Sequence, residues 1–264
     1  MPKNIWISAA LALLFALPAA AENKEYGVFP RAEELFYPLV ADPRHIQLGA
    51  SYYRQNGRNL ADTSLGHSWG LVRWYSGKSR WAYQWNIEAM AYSRFELGGS
   101  VNKFETVDFF VNLPVEFRHR AFSGRVMLFH ESSHLGDDYI RETGDTGARY
   151  SIDGARVQAG IEPWRWMRLY SGFTALTHTI PSPKRLAAQS GVELQTGDLK
   201  WHAKYPTTLF LCQDLQWHQN VQWNPNYRVV AGWSLGFKDV LRTVRVILGY
   251  FEGHSPYGQF FTRR

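Results

Sequence analysis

The chain has a single cysteine, Cys212, among its 264 residues. An intramolecular disulfide framework is therefore excluded, even in a compartment that would permit one. No His or Asn context surrounds Cys212, which reads as a packing residue and not as a nucleophile. Long apolar runs are also missing after residue 21, because each is broken within a few positions by Arg, Glu, Asp, Gln or His. A membrane-spanning helix needs ~20 apolar residues, so the remainder is either soluble or a barrel. There is no internal repeat and no low-complexity tract. Charge of one sign is limited as well: the net +6 comes from Lys and Arg interleaved with acids, unlike the concentrated basic face of a nucleic-acid binder.

The N-terminus carries one positive charge at Lys3. It continues through an apolar run from Ile5 to Leu17 and ends in Pro18 and Ala19-Ala20-Ala21. These are the parts of a cleavable secretory signal over residues 1–21, with the mature chain starting at Glu22. The apolar run is too short for a membrane anchor. Aromatic residues make up 16% of the chain, with 11 Trp and 14 Tyr. Soluble domains seldom carry so many, whereas a transmembrane barrel wears aromatic girdles at both interfaces. The mild basic excess is compatible with an outer leaflet rich in anionic lipid.

Alternation of period two makes the case for strands. From Arg80 to Arg94 one face reads Trp81, Tyr83, Trp85, Ile87, Ala89, Ala91 and the other Arg80, Gln84, Asn86, Glu88, Arg94. From Glu105 to Arg118, Val107, Phe109, Val111, Leu113, Val115 and Phe117 alternate with Asp108, Asn112, Glu116 and Arg118. Soluble sandwich strands are usually nearer 5–6 residues, so longer strands of this kind fit lipid outside and a polar lumen inside. Strand-like segments fall near 46–54, 67–75, 80–94, 104–119, 124–134, 148–162, 167–178, 187–196, 207–217, 227–236 and 240–252, with a last one near 257–262. Links such as 54–66 and 135–147 read as long and 76–78 and 163–164 as short, a pattern in which short turns mark the periplasmic side. The fold expected is all-β, an antiparallel transmembrane β-barrel of twelve strands, or ten if 187–206 holds none. Residues 22–44, with Pro30, Pro38 and Pro43 and no alternation, read as a periplasmic N-terminal segment with a short helix at 32–36, ahead of a barrel over 45–264 in the outer membrane. Ending in Thr262-Arg263-Arg264 after Phe260-Phe261 departs from the terminal aromatic of many such barrels.

One stretch carries candidate chemistry, Phe129 to Asp138. In the strand 124–134, Val126, Leu128, His130, Ser132 and His134 share one parity, and Arg125, Met127, Phe129, Glu131 and Ser133 the other. If Val126 and Leu128 face lipid, His130, Ser132 and His134 lie on the same outer surface. Folding a hairpin across 135–147 sets Asp153 opposite His130. A serine hydroxyl becomes a nucleophile when an imidazole takes its proton and an acid holds that imidazole's tautomer. Ser132, His130 and Asp153 are therefore candidate catalytic residues, with His134 and Asp137 as alternatives.

His130-x-Ser132 followed by a polar loop resembles the His-x-Ser-Asn-Gly stretch of outer-membrane phospholipase A and the related element of the lipid A 3-O-deacylases, with Ser133-His134 in place of Asn-Gly. That resemblance implies a barrel with Ser132 as nucleophile and His130 as base on a lipid-facing wall. Three longer segments resemble a bacterial family of unknown function grouped with outer-membrane barrels. They are Phe36–Arg44, Ser132–Asp138 with its Ser-Ser-His-Leu-Gly-Asp signature, and Gly253–Phe261.

Other readings stand beside the esterase. His130, Ser132 and His134 also suit an interfacial polar belt. The inward Arg80, Glu88, Arg94, Asp108, Glu116, Arg118, Arg125 and Glu131 suit ion pairs filling a narrow barrel, which leaves a narrow channel or a structural or adhesive barrel as alternatives. Asp137, Asp138 and Glu142, with Asp145 nearby, offer hard oxygens for calcium; no other cofactor is implied. His130 and His134 lie ~13 Å apart on a strand, too far for one zinc ion. Expected partners are outer-membrane lipid, lipopolysaccharide and the barrel assembly machinery, without nucleic acid, and a homodimer is allowed.

Overall fold

The computed structural model describes residues 26–28, 34–76, 80–99, 102–182, 184–200, 205–237 and 242–264, and the expected signal over 1–21 lies outside them. The chain is all-β. Twelve strands form one antiparallel sheet: β1 (Tyr26–Val28), β2 (Leu48–Gln55), β3 (Arg58–Ser76), β4 (Trp81–Leu97), β5 (Lys103–His119), β6 (Phe122–Leu135), β7 (Tyr150–Trp164), β8 (Met167–Ile180), β9 (Leu186–Gln195), β10 (Thr207–His218), β11 (Pro225–Phe237) and β12 (Arg242–Glu252). From β3 onward each strand pairs with its successor in sequence. A helix, α1 (Asp137–Thr143), lies in the β6–β7 link.

The alternation read from the sequence separates the two faces correctly. On β4, Gln84, Asn86 and Glu88 are buried while Ile87 is exposed; on β5, Asp108, Asn112 and Glu116 are buried while Phe109 and Val111 are exposed. The sheet curls so that its polar face looks inward. Tyr170 of β8 donates to Asp214 of β10 at 2.6 Å, Arg125 of β6 pairs with Glu88 of β4 at 3.6 Å, and Arg94 of β4 pairs with Asp62 of β3 at 3.2 Å. Ion pairs thus involve Glu88, Arg94, Asp108, Arg118, Arg125 and Glu131. Glu116 departs from that pattern and accepts backbone N–H groups instead. Arg80 is an exposed turn residue at φ 52°, with no ion pair among the described residues.

Four expectations about elements need correction. Residues 54–66 are not a long link, because Asn56 and Gly57, both at positive φ (51° and 82°), turn the chain in two residues and β3 begins at Arg58. Asn-Gly tolerates left-handed backbone at both central positions, and that twist matches the strands it joins. Residues 257–262 form no strand; Gly258–Phe260 is a single 3-10 turn packed inward. The twelfth strand is instead β1, which shares the β3 edge with β2: Val28 pairs with Val72 and Leu48 with Leu65. Residues 34–36 are not helical, and 32–33 lie outside the described residues. The segment 187–206 does hold a strand, β9.

Between β1 and β2 the described chain, from Glu34 to Gln47, leaves the wall and packs inside the curl. Leu35, Phe36, Leu39 and Ala41 are buried there. Lacking a neighbouring strand, its backbone takes its partners from inward side chains. Glu116 accepts from the N–H groups of Leu35 at 2.7 Å and Phe36 at 3.2 Å, and Glu193 accepts from Val40 at 2.7 Å. Arg118 donates to the Leu35 carbonyl and Arg168 to that of Tyr37. Phe36 packs on Leu39 and Tyr170, beneath the guanidinium groups of Arg168 and Arg125 at 4.5 and 5.2 Å from its ring. Truncating so deeply set a ring to Ala costs ~3–5 kcal/mol. Cys212 packs with Ala41, Phe210 and Val230.

At the other edge, β12 is exposed on both faces from Thr243 to Tyr250 and, among the described residues, makes no ladder with β2.

Candidate functional site

β6 owes its extended form to a 14-residue run that alternates apolar-out with polar-or-packed-in. Val126 and Leu128 are exposed on its outer face, while Arg125, Met127, Phe129, Glu131 and Ser133 are buried on its inner one. The β6–β7 link carries α1, followed by Gly144 and Gly147 at φ 70° and 72°, and brings β7 back antiparallel. The resulting register sets His130 opposite Asp153 and Ser132 opposite Ser151, the arrangement the hairpin count anticipates.

The contact is made. His130 Nδ1 lies 2.7 Å from Asp153 Oδ1, with the two side chains 48% and 45% exposed. A carboxylate at that distance accepts from a protonated Nδ1, leaving Nε2 as the basic nitrogen of the neutral ring. Ser132 follows on the same face, half-buried, and its hydroxyl has no hydrogen bond among the described residues. His134 lies farther along, edge-on to Phe109 with ring centroids 6.0 Å apart.

A second histidine adjoins this group unforeseen. On β8, His178 is the register partner of Asp153, so Asp153 has a histidine opposite it on each neighbouring strand. Alternation counted from the exposed Leu169 and Phe173 would turn His178 inward. A bulge reverses the parity, since Asp153 pairs with His178 but Gly154 with Leu176. Thr177, the extra residue, donates from Oγ1 to the Asp153 carbonyl at 3.2 Å.

Two of the acids proposed for calcium, Asp138 and Glu142, have other side-chain partners. Asp138 accepts from the Phe104 N–H at 3.1 Å and pairs with Arg141 at 3.3 Å. Glu142 accepts from Lys103 at 2.7 Å, and the Asp137 carbonyl accepts from Arg141. Among the described residues no three His, Cys, Asp or Glu side chains are grouped to hold a metal.

The three segments singled out in the sequence meet on the inner side of this same wall. Asp108 of β5, fully buried, accepts from Arg44 at 2.5 Å, from Ser133 Oγ, and from the Gly258 N–H at 3.0 Å. Ser133 Oγ accepts in turn from the Gln259 N–H at 3.0 Å, and the Gln259 side chain donates to the Ser133 and Ala148 carbonyls. Arg44 also reaches Glu131 at 3.2 Å and lies over the rings of Phe110, Tyr92 and Tyr257. Position 258 requires glycine, because a Cβ there would come within 2.6 Å of the Ser133 Cβ. The node ties the internal segment, β6 and the C-terminal tail together behind the outward His130–Asp153 pair.

In comparison with known proteins, residues 20–264 match a family described as "Protein of unknown function (DUF1207)". No curated protein and no solved structure matches the chain.

Proposed function

We propose that this chain, which belongs to the DUF1207 family, is an outer-membrane β-barrel that hydrolyses lipid acyl esters at Ser132 on its outward wall. The observation that carries the reading is the 2.7 Å contact between His130 Nδ1 and Asp153 on the outer face that also carries the exposed Val126 and Leu128. Asp153 fixes the tautomer, and Nε2 of His130 takes the Ser132 proton as Oγ attacks the ester carbonyl. The protonated ring then returns the proton to the leaving alcohol, and water releases the fatty acid from the acyl-serine by the same route. Side chains two apart on a strand share one face about 7 Å apart, so the pair closes by rotation of the Ser132 and His130 side chains. Such contacts are often long in the absence of substrate. Phospholipid and lipid A acyl chains are the substrates that a lipid-facing serine meets.

Support for the membrane setting comes from strand length and surface. β3 to β8 run 14–19 residues, more than enough at ~3.3 Å each to cross a ~25 Å apolar band when tilted. Their outer faces present exposed Ile87, Val111, Leu128, Val157 and Phe173 at mid-strand, with the stacked Trp164 and Trp166 at one end. The exported, periplasm-to-surface topology and the lipid, lipopolysaccharide and assembly-machinery partners belong to this same proposal.

The test is fatty-acid release from phospholipid and lipopolysaccharide by refolded wild type and Ser132→Ala in detergent, with calcium or with chelator. Release that disappears in the variant, with folding judged by heat-modifiable migration unchanged, is the expected result. No release from either lipid by wild type sinks the reading. A channel is the second reading, drawn from a cavity of about 2400 Å³ bounded in part by β2, β3, β11 and β12. The internal segment lying across the curl weighs against it, and single-channel conductance decides it.

A further inference from the structure

A second, smaller cavity of about 160 Å³ lies inside the curl on the α1 side of the internal segment. Its lining runs from Asp42 and His45 to Pro181 and Lys184 of the β8–β9 link. At ~30 Å³ per molecule the space holds roughly five waters, or one small solute with fewer.

Several buried polar atoms without partners belong to residues of this lining. Arg44 Nη1, His45 Nδ1, Asn112 Oδ1, Asn220 Oδ1 and His254 Nδ1 are all buried without a hydrogen bond, and all five residues line it. His45 is only 7% exposed. These atoms have almost no surface open to the cavity, so they mark its lining as polar without themselves being contacts for an occupant.

The charges sort unevenly. Arg44 is paired with Asp108 and Glu131, and Arg125 with Glu88. Asp42 is engaged by the Arg44 N–H at 2.9 Å and by the Gln189 and Gln216 amides at 3.0 and 3.2 Å. Arg156 of β7 lines the same cavity, and among the described residues its side chain has no carboxylate within ion-pair distance. Its one hydrogen bond is from Nε to Thr174 Oγ1 at 3.0 Å. A guanidinium facing a cavity with its terminal nitrogens uncommitted suits the fork of a carboxylate or phosphate.

We infer that this cavity is a binding site for a small oxyanion, a carboxylate or phosphate group clamped by Arg156. The proposal is independent of the outward Ser132 site, which lies on the opposite face of the sheet. Asp42, Glu88 and Glu131 line the cavity too; Arg125 and Arg44 offset the two glutamates, while the charge of Asp42 opposes an anion and can be removed by substitution.

Titration of the refolded full chain in detergent by isothermal calorimetry, with inorganic phosphate in one arm and acetate in the other, tests this and separates the two sources of the group. One equivalent is expected to bind in at least one arm. Arg156→Gln should weaken it by at least roughly tenfold, the loss of one charge-assisted pair. Arg156→Lys, which keeps the charge and guards against misfolding of the first variant, should retain measurable binding. Asp42→Asn should bind several-fold tighter than wild type. Absence of binding in both arms at about 10 mM, well above the ordinary range for a specific site, overturns the inference. So does binding that Arg156→Gln leaves unchanged.

Discussion

Ser132 and Ser133 are adjacent in sequence and opposite in circumstance. Ser133 points inward, is buried, donates to Asp108 and accepts from the Gln259 N–H. Ser132 points outward beside an exposed His130–Asp153 pair, and its hydroxyl has no partner among the described residues. One peptide step thus separates a hydroxyl fully used by the fold from one the fold leaves free. Polar residues on the inner face of β6 are explained by their neighbours. On the outer face, His130 has Asp153 and His134 has Phe109, but the Ser132 hydroxyl has no such partner among the described residues, and a free hydroxyl beside an imidazole is where chemistry is sought.

Substitutions can sharpen that contrast. The largest effect is on rate: Ser132→Ala should abolish acyl hydrolysis, a fall on the order of 10⁶ for a lost nucleophile. Stability in urea unfolding should move by less than about 0.5 kcal/mol. Asp153→Asn should lower kcat by about 10⁴, because an amide no longer demands the Nδ1–H tautomer, with initial-rate kinetics as the check. Asp108→Ala should do the reverse, sparing the chemistry of molecules that fold but costing about 3–5 kcal/mol, because Arg44 keeps only Glu131 and the Ser133 hydroxyl and Gly258 N–H lose their acceptor, measured by equilibrium unfolding. Ser133→Ala should cost about 1–3 kcal/mol, since Asp108 loses a donor and the Gln259 N–H its acceptor. If Ser133→Ala and Ser132→Ala cannot be told apart in both rate and stability, the distinction between the two faces fails.

The interior also sets a pH response. Burial, reinforced by the charge of Arg125, holds the His45 imidazole well below its ordinary range, against the opposing pull of Asp42. Below about pH 6.5 the unfolded chain takes up a proton there that the folded chain does not. The stability His45 contributes is therefore complete above that pH and declines as pH falls below it, by up to about 1.4 kcal/mol per unit. Urea midpoints of wild type and His45→Asn measured from pH 7.5 to 5 isolate the effect: the wild type should lose stability relative to the variant as pH falls.

Much of this was legible because the wall obeys a period of two. Gln84, Asn86 and Glu88 betray the inner face of β4 by sharing a parity, and a count across one hairpin suffices to bring Asp153 to His130. What escaped was whatever breaks the period or lies off the sheet. His178 is hidden by the bulge at Thr177, which reverses its face. The β2–β3 hairpin is signalled only by Asn56-Gly57, because the first part of β3, residues 58–66, reads as link. The segment around Phe36 and Val40 has no periodicity because its backbone partners are the side chains of Glu116 and Glu193, not a neighbouring strand. The aromatic-rich run from Tyr257 to Phe261 reads as a strand, yet Tyr257 and Phe260 pack inward from a 3-10 turn, Tyr257 against Tyr92 and Phe260 against Tyr139.

The threading of the internal segment imposes an order on assembly. Val40 meets Glu193 across 153 residues of sequence, and Leu35 meets Glu116 across 81. Contacts of such span form slowly, because the loop they close must be ordered before they contribute anything. The hairpins from β3 to β9 are local and can zip first, whereas Phe36 and Arg44 have nothing to dock on until β5, β6 and β8 stand side by side. A segment near the start of the described chain is thus among the last to settle. Until it does, the inward carboxylates of a half-built sheet face one another without the backbone N–H groups and the guanidinium that this segment brings.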